Sequence, residues 1–283
     1  MRAAMKTAKV GHSPDPDDAF MYYGIAAEKV DLAGYRLEQV LEDIESLNKR
    51  AVKGDLEVSA VSIHAYAHLA DSYALMPCGA SMGSGYGPIV VAREPMDEAA
   101  LLDKTIAIPG TMTSAFLAMQ LYIGGSFDFK VVPFDRILDT VRDGKADAGL
   151  VIHEGQLTYA AEGHSKVVDL GLWWADRTDG LPLPLGGNVV RKDLGKEAVR
   201  TLTRIIRDSI VFGLENREEA LEYALDYGRG LDKGMADRFV GMYVNELTRD
   251  YGDLGRRAIE RLLHEGAEAG LVPKLHNLEF VEL

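Results

Sequence analysis

Short apolar runs alternate with stretches of helical spacing through the first two-thirds of the chain. A strand ends at Val10, ahead of the loop Ser13-Pro14-Asp15-Pro16-Asp17-Asp18, and helical spacing runs over 19–28. Residues 35–41 read as a strand, 42–53 as a helix stopped by Gly54, 56–61 as a strand, 63–69 as a helix and 88–92 as a buried strand. The order then restarts. Residues 105–108 read as a strand before the loop Pro109-Gly110-Thr111-Met112, and 113–122 as a helix. A short strand at 131–133, a helix at 136–142 stopped by Gly144 and a strand at 148–152 follow, with His153 at the last carboxyl end. This alternation predicts an α/β fold of mostly parallel sheets covered by helices. Residues 181–190 read as an extended return strand, and helices follow at about 195–214, 217–227, 233–247 and 254–269.

The two halves are loosely alike. Residues 51–62 and 140–153 each give a helix, a glycine stop, a strand and a polar residue at the strand tip, Ser62 in one and His153 in the other. A chain of 283 residues suits two lobes better than one, since single cores stop growing near ~250–300 residues. We therefore expect a large discontinuous lobe at 1–92 and 187–283, a small lobe at 93–186, and two crossovers forming a hinge. Ligands of open α/β sheets sit beyond the carboxyl ends of strands. A cleft between the lobes would then receive the loop at 13–18, Ser62 and His153.

The net charge of -13 argues against nucleic acid, which demands clustered Lys and Arg. Cys78 is the only cysteine, so neither an internal disulfide nor a cysteine-based metal site is expected. Residues 1–9 contain no apolar run of the secretory kind, and no stretch approaches the ~20 apolar residues of a membrane span. The expectation is a cytoplasmic protein binding a small molecule, without a membrane partner.

Candidate chemistry sits at the strand tips. Asp15 suits a helix cap, Pro16 a first helical position, and Asp17 and Asp18 a first turn. The same loop, at a sheet's carboxyl edge, also suits a ligand. Sequence physics leaves both readings open. Thr111, Thr113 and Ser114 offer hydroxyls beside unpaired helix-start amides, fit for a carboxylate, or an ordinary Thr cap. Ser62 carries the same pair of readings. His153, beside Glu154 at a buried strand tip, is a general base or a hydrogen-bonded structural histidine. His64 and His68 are four apart, but no third ligand is evident and no metal is expected. Gly83-Ser84-Gly85-Tyr86-Gly87 lacks the lysine and spacing of a phosphate loop and more simply allows a tight approach. Trp173, Trp174 and Tyr159 could wall a pocket or pack the small lobe.

Taken together, these segments resemble the 1,4-dihydroxy-6-naphthoate synthases of the futalosine route to menaquinone. The resemblance rests on Ser13-Pro14-x-Pro16-x-Asp18-x-Phe20, Glu42-Asp43-Ile44-Glu45-Ser46-Leu47-Asn48 and Gly87-Pro88-Ile89-Val90-Val91-Ala92-Arg93. It continues in Asp135-Arg136-Ile137-Leu138, Ile152-His153-Glu154 with Thr158-Tyr159, Val168-Asp169-Leu170-Gly171 and Gly180-Leu181-Pro182-Leu183-Pro184-Leu185-Gly186. It implies a type-2 periplasmic-binding-protein-like fold and a cytoplasmic lyase that needs no cofactor. The implied substrate is cyclic dehypoxanthine futalosine, and the implied products are the naphthoate and dihydroxyacetone. The family's proton-accepting histidine falls on His153, its binding serine on Ser62, its hydroxyl pair on Thr113 and Ser114, its loop aspartate on Asp18 and its helix asparagine on Asn48. Ser13 and Asp15 join the binding set through the loop, and Asp17 offers a second acid/base group. Chorismate dehydratase, a sister enzyme, fits the first and last motifs less well. A non-catalytic binding protein of the same fold is the other alternative.

Two departures bear on the ligand. The family usually reads Ser-Pro-Cys-Pro-Asn-Asp, where this chain has Asp15 and Asp17; it usually carries lysine two residues before the binding serine, where this chain has Ala60. One unit of charge at ~4 Å and an effective dielectric of ~20 is worth ~4 kcal/mol before screening. Arg93 or another base is therefore expected to compensate near the site, or the ligand differs.

Overall fold

A computed structural model describes residues 5–283; the first four residues of the N-terminal stretch read above for a signal lie outside them. Strands β1 (Lys6–His12), β2 (Tyr35–Leu41), β3 (Val58–Ser62), β4 (Tyr73–Leu75) and β5 (Ser81–Gly83) come first. Strands β6 (Ile89–Ala92), β7 (Ile106–Ile108), β8 (Phe129–Val131), β9 (Ala148–Val151) and β10 (Ser165–Asp169) form a second sheet in the order β10-β6-β9-β7-β8. The return strand β11 (Leu183–Arg191) goes back to the first sheet, ordered β2-β1-β3-β11-β4 with β5 also on β11. The helices are α1 (Pro16–Ala26), α2 (Ile44–Val52), α3 (Ile63–Tyr66), α4 (Ser114–Ile123), α5 (Ile137–Arg142) and α6 (Gly155–Thr158). Then come α7 (Leu170–Arg177), α8 (Lys196–Glu215), α9 (Arg217–Leu225), α10 (Lys233–Tyr243), α11 (Glu246–Arg249) and α12 (Gly252–Glu268).

The two-lobed α/β architecture is as expected, but each sheet is mixed rather than mostly parallel. β1 runs parallel to β2 and β3, and β7 parallel to β8 and β9. The strands that carry the chain between lobes run against their neighbours: β6 is antiparallel to β9 and β10, and β11 to β3, β4 and β5. Sheet membership also moves the crossing points. β6 belongs to the second sheet and β11 enters the first at Leu183, so neither crossing falls at the 92/93 and 186/187 positions read from sequence. The reason is burial: all four residues of β6 are enclosed between β9 and β10.

Local chemistry sets the elements that hold the site. Pro16 opens α1 with Asp17 and Asp18 in its first turn, where fixed φ and negative charge favour a helix start. Gly54 and Gly144 both stand at φ 71°, the left-handed stop that glycine adopts without a Cβ penalty. The internal resemblance is thus structural: α2 to β3 and α5 to β9 are matching units, each ending on a central strand. The helix expected over 233–247 breaks, because Val244 is extended and Asn245 starts α11 with a capping box to Thr248. The short strand expected at 131–133 ends instead at Val131, since Pro133 lacks a donor and begins a helical turn.

The core runs beneath both lobes. Val61, Ile63 and Leu75 of the first are buried in one cluster with Phe116, Leu150 and Trp174 from the second. That shared floor leaves the cleft above it as the place where strand tips and helix starts meet.

Candidate active site

The cleft holds a cavity of about 120 Å³ that opens to solvent. One wall is the loop after β1, with Ser13, Asp15, Asp17 and Asp18. A second is Ser62 at the tip of β3, facing Ser114 and Ala115 at the start of α4. Phe239 and Tyr243 of α10 close a third side.

The acidic loop does more than cap. Asp15 stands at the N-cap position of α1, yet its side chain makes no capping bond. Its carboxylate accepts from Ser13 Oγ at 2.5 Å and from the Arg229 guanidinium at 2.5 Å. Asp18 accepts the Ser13 backbone N–H at 2.6 Å, which closes the loop on itself. Asp17 accepts from Ser81 Oγ at 3.3 Å. Burial, and then the nearby Asp15 charge, push the Asp17 carboxyl up to about 7. Burial, and then Asp17, push Asp18 well above the ordinary carboxylate range. Three adjacent carboxylates do not all ionise readily in one enclosed site. The charge surplus implied by Asp15 and Asp17 is therefore relieved twice, by Arg229 beside Asp15 and by protons retained on the Asp17–Asp18 pair.

The opposite wall is built on hydroxyls. Ser62 precedes α3 but makes no side-chain cap. The buried amide of Asn48 holds it instead, donating to Ser62 Oγ at 3.1 Å and accepting the Ser62 N–H at 2.9 Å. With Oγ serving as the acceptor, its own hydrogen is left for the cavity. Asn48 is behind this wall and positions Ser62. Thr113 is an ordinary N-cap, accepting from Phe116 N–H at 3.2 Å and donating to Gly110 O at 3.0 Å. Ser114 Oγ donates to Leu185 O at 2.5 Å and accepts His64 N–H at 3.1 Å. Both hydroxyls are occupied, so what α4 presents is its first amides, those of Ser114 and Ala115, which have no partner within a helix.

His153 stands one residue behind the cavity wall, which Ile152 reaches. Its Nδ1 accepts the Gly155 N–H at 2.9 Å, so Nε2 carries the proton and donates it to Phe134 O at 2.8 Å. Both nitrogens are engaged. The Glu154 carboxylate is 3.6 Å from Nδ1 and takes two bonds from Arg229, at 3.1 and 3.2 Å. Arg229, missed in the sequence, thus links the loop of the first lobe to the strand tip of the second. Only its place between Gly228 and Gly230 marked it as a loop residue.

Two expected site residues are elsewhere. Arg93 is exposed and donates to Val141 O at 2.6 Å and Ala146 O at 3.2 Å, on the far side of the second sheet. It closes the α5–β9 turn and does not supply the missing cation. Thr111 is exposed and lines no part of the cavity. The aromatic pair is structural too: Trp174 is buried and donates to Pro182 O at 3.1 Å. Among the described residues, no three His, Cys, Asp or Glu side chains gather as a metal site, and no helix is long and apolar enough to cross a membrane.

The geometry can be set beside known proteins. Residues 8–268 match the family model described as menaquinone biosynthesis. The chain is 40% identical over 267 residues to the 1,4-dihydroxy-6-naphthoate synthase of Thermus thermophilus, covering 94% of this chain and 96% of that protein. A crystal structure of an Archaeoglobus fulgidus protein superposes with a TM-score of 0.89 at 45% identity, covering 94% of this chain and 98% of that one. A Candida albicans protein described as having the generic periplasmic-binding-protein fold gives a TM-score of 0.72 at 14% identity over 98% of each chain, a likeness of fold alone. Matched along nearly its whole length, the chain belongs to the menaquinone biosynthesis family.

Proposed function

We propose that this protein is a 1,4-dihydroxy-6-naphthoate synthase, a lyase that releases the naphthoate and dihydroxyacetone from cyclic dehypoxanthine futalosine without a cofactor. The observation that carries the reading is the 40% identity to the Thermus thermophilus synthase along 94% of this chain, in a fold that puts a cavity between the lobes.

The cavity has two chemically distinct ends that suit such a molecule. Free amides at the start of α4 and the Ser62 hydroxyl favour a carboxylate. The Asp17–Asp18 end, holding protons near neutrality, donates to and accepts from hydroxyl groups. His153 is the proposed proton acceptor. To take a proton, its ring must exchange the Gly155 N–H for the substrate. Asp17, with a carboxyl at about 7 on the wall itself, is the proposed second acid/base group.

Purified protein given cyclic dehypoxanthine futalosine should release the naphthoate, detected by mass spectrometry. Substrate recovered unchanged, alongside an active relative, would overturn the assignment.

A further inference from the structure

Arg229 lies in the loop between α9 and α10, outside the cavity wall and outside the chemistry proposed above. Its guanidinium nevertheless joins both lobes. One end donates to Asp15 Oδ1 at 2.5 Å and to Pro14 O at 3.3 Å. The other donates to both oxygens of Glu154, at 3.1 and 3.2 Å. Its face lies over the Phe134 ring, 4.8 Å from the centroid. Phe134 is the residue whose carbonyl accepts the His153 Nε2–H hydrogen bond, and Glu154 is the residue beside His153 Nδ1.

The opposite flank of the cleft is strapped by uncharged groups as well as by Glu45. Met112 N–H donates to Glu45 Oε2 at 3.2 Å, and His64 Nδ1 donates to Thr113 O at 3.1 Å. On the Arg229 flank the further ties among the described residues are hydrogen bonds from Tyr243 to Gln156, at 2.8 Å, and from the Tyr86 hydroxyl to Met242 O. A fork that reaches two carboxylates at once is what arginine, and not lysine, supplies.

We propose that Arg229 is a positioning residue that latches the lobes shut over the substrate, by bridging Asp15 of the first to Glu154 of the second. The proposal rests on the reading of this cleft as the substrate site. The latch lowers the population of the open form and so raises apparent affinity, since a binding-competent state occupied a tenth as often weakens apparent binding about tenfold.

The test uses Arg229→Met, which keeps an apolar stem over Phe134 and removes the fork, and Arg229→Lys, which keeps the charge but not both contacts. A single cooperative melting transition shows that each is folded. The Met variant should raise KM about tenfold while kcat falls less, and the Lys variant should fall between. Raising the salt should increase the wild-type KM and leave that of the Met variant flat. A wild-type KM in the Met variant, or a loss confined to kcat, would overturn the latch. Small-angle scattering without substrate gives a readout independent of turnover: the Met variant should have a larger radius of gyration than the wild type. An unchanged radius overturns the latch whatever the assay gives. An inactive wild type whose variant still opens overturns the proposed reaction and leaves the latch standing.

Discussion

The imidazole of His153 and the backbone of Gly155 form a closed pair: Gly155 N–H donates to His153 Nδ1 at 2.9 Å, and a Cβ on Gly155 would stand 2.8 Å from His153 Cε1. The bond fixes the tautomer, and the glycine makes the approach possible. Removing the ring orphans the buried Gly155 N–H, while the Phe134 carbonyl keeps its bond from the Ile137 N–H. His153→Ala should therefore cost about 1–3 kcal/mol of stability as well as about 10²–10⁴ in kcat if the ring takes the proton. His153→Gln should recover part of the stability and none of the turnover. Denaturant titration beside steady-state kinetics separates the two losses, and turnover retained in both variants would remove His153 as the base.

Gly155 gives a variant that perturbs His153 without touching its ionisable atoms. Gly155→Ala must push the imidazole aside, since 2.8 Å is closer than a Cβ tolerates. We expect a loss of kcat with a near-wild-type KM, because the binding walls at Ser62 and α4 are untouched. A variant with wild-type kcat would mean that the ring position is immaterial to the reaction.

Asn48 and Ser62 should act as one unit. The Asn48 amide satisfies both the N–H and the Oγ of Ser62, so either truncation leaves the wall with a misdirected hydroxyl or none. Ser62→Ala and Asn48→Ala should each raise KM about tenfold, a loss of ~1.4 kcal/mol in binding. The double variant should cost little more than one alone, as contacting residues are not additive. Additive losses would show that Asn48 reaches substrate by a separate path.

The sequence placed the strand tips because they follow from local pattern. Burial periodicity gave β3 and β9, the stops at Gly54 and Gly144 gave their matching approach, and Ser62 and His153 fell at the ends. Thr113 was legible as a cap because capping is settled within four residues. Asp15 was not, since its partner is 214 positions away in a loop with no periodicity. The same limit misplaced the compensating cation at Arg93, whose neighbours Val141 and Ala146 are set by the β6–β9 pairing and not by anything near residue 93. The strand β10 and helix α7 went unread because Ser165–Asp169 is mostly half-exposed and lacks an apolar run.

The acidic loop should leave a signature in the pH dependence of stability. The folded-state carboxyl of Asp17 lies at about 7, raised from 3.8 mainly by burial. Between those values the folded chain binds the proton that the unfolded chain has released, so Asp17 makes stability fall as pH rises from about 4 to about 7. His12 and His64 act in the opposite sense. Burial lowers both from 6.5 to about 4, so in that window the unfolded chain binds their protons and stability rises with pH. In the wild type these trends oppose each other, with Asp18, also raised by burial, adding to the falling one. Asp17→Asn keeps the shape and removes Asp17's share of the falling trend. Its melting temperature, followed from pH 4 to above 8, should therefore climb more steeply than the wild type's through about pH 7. The gap between them should level off only above about pH 8, a unit past the folded value, where Asp17 is ionised in both states. Parallel curves across the whole range would show that Asp17 is ionised in the folded protein throughout, and would remove it as an acid/base group near neutrality.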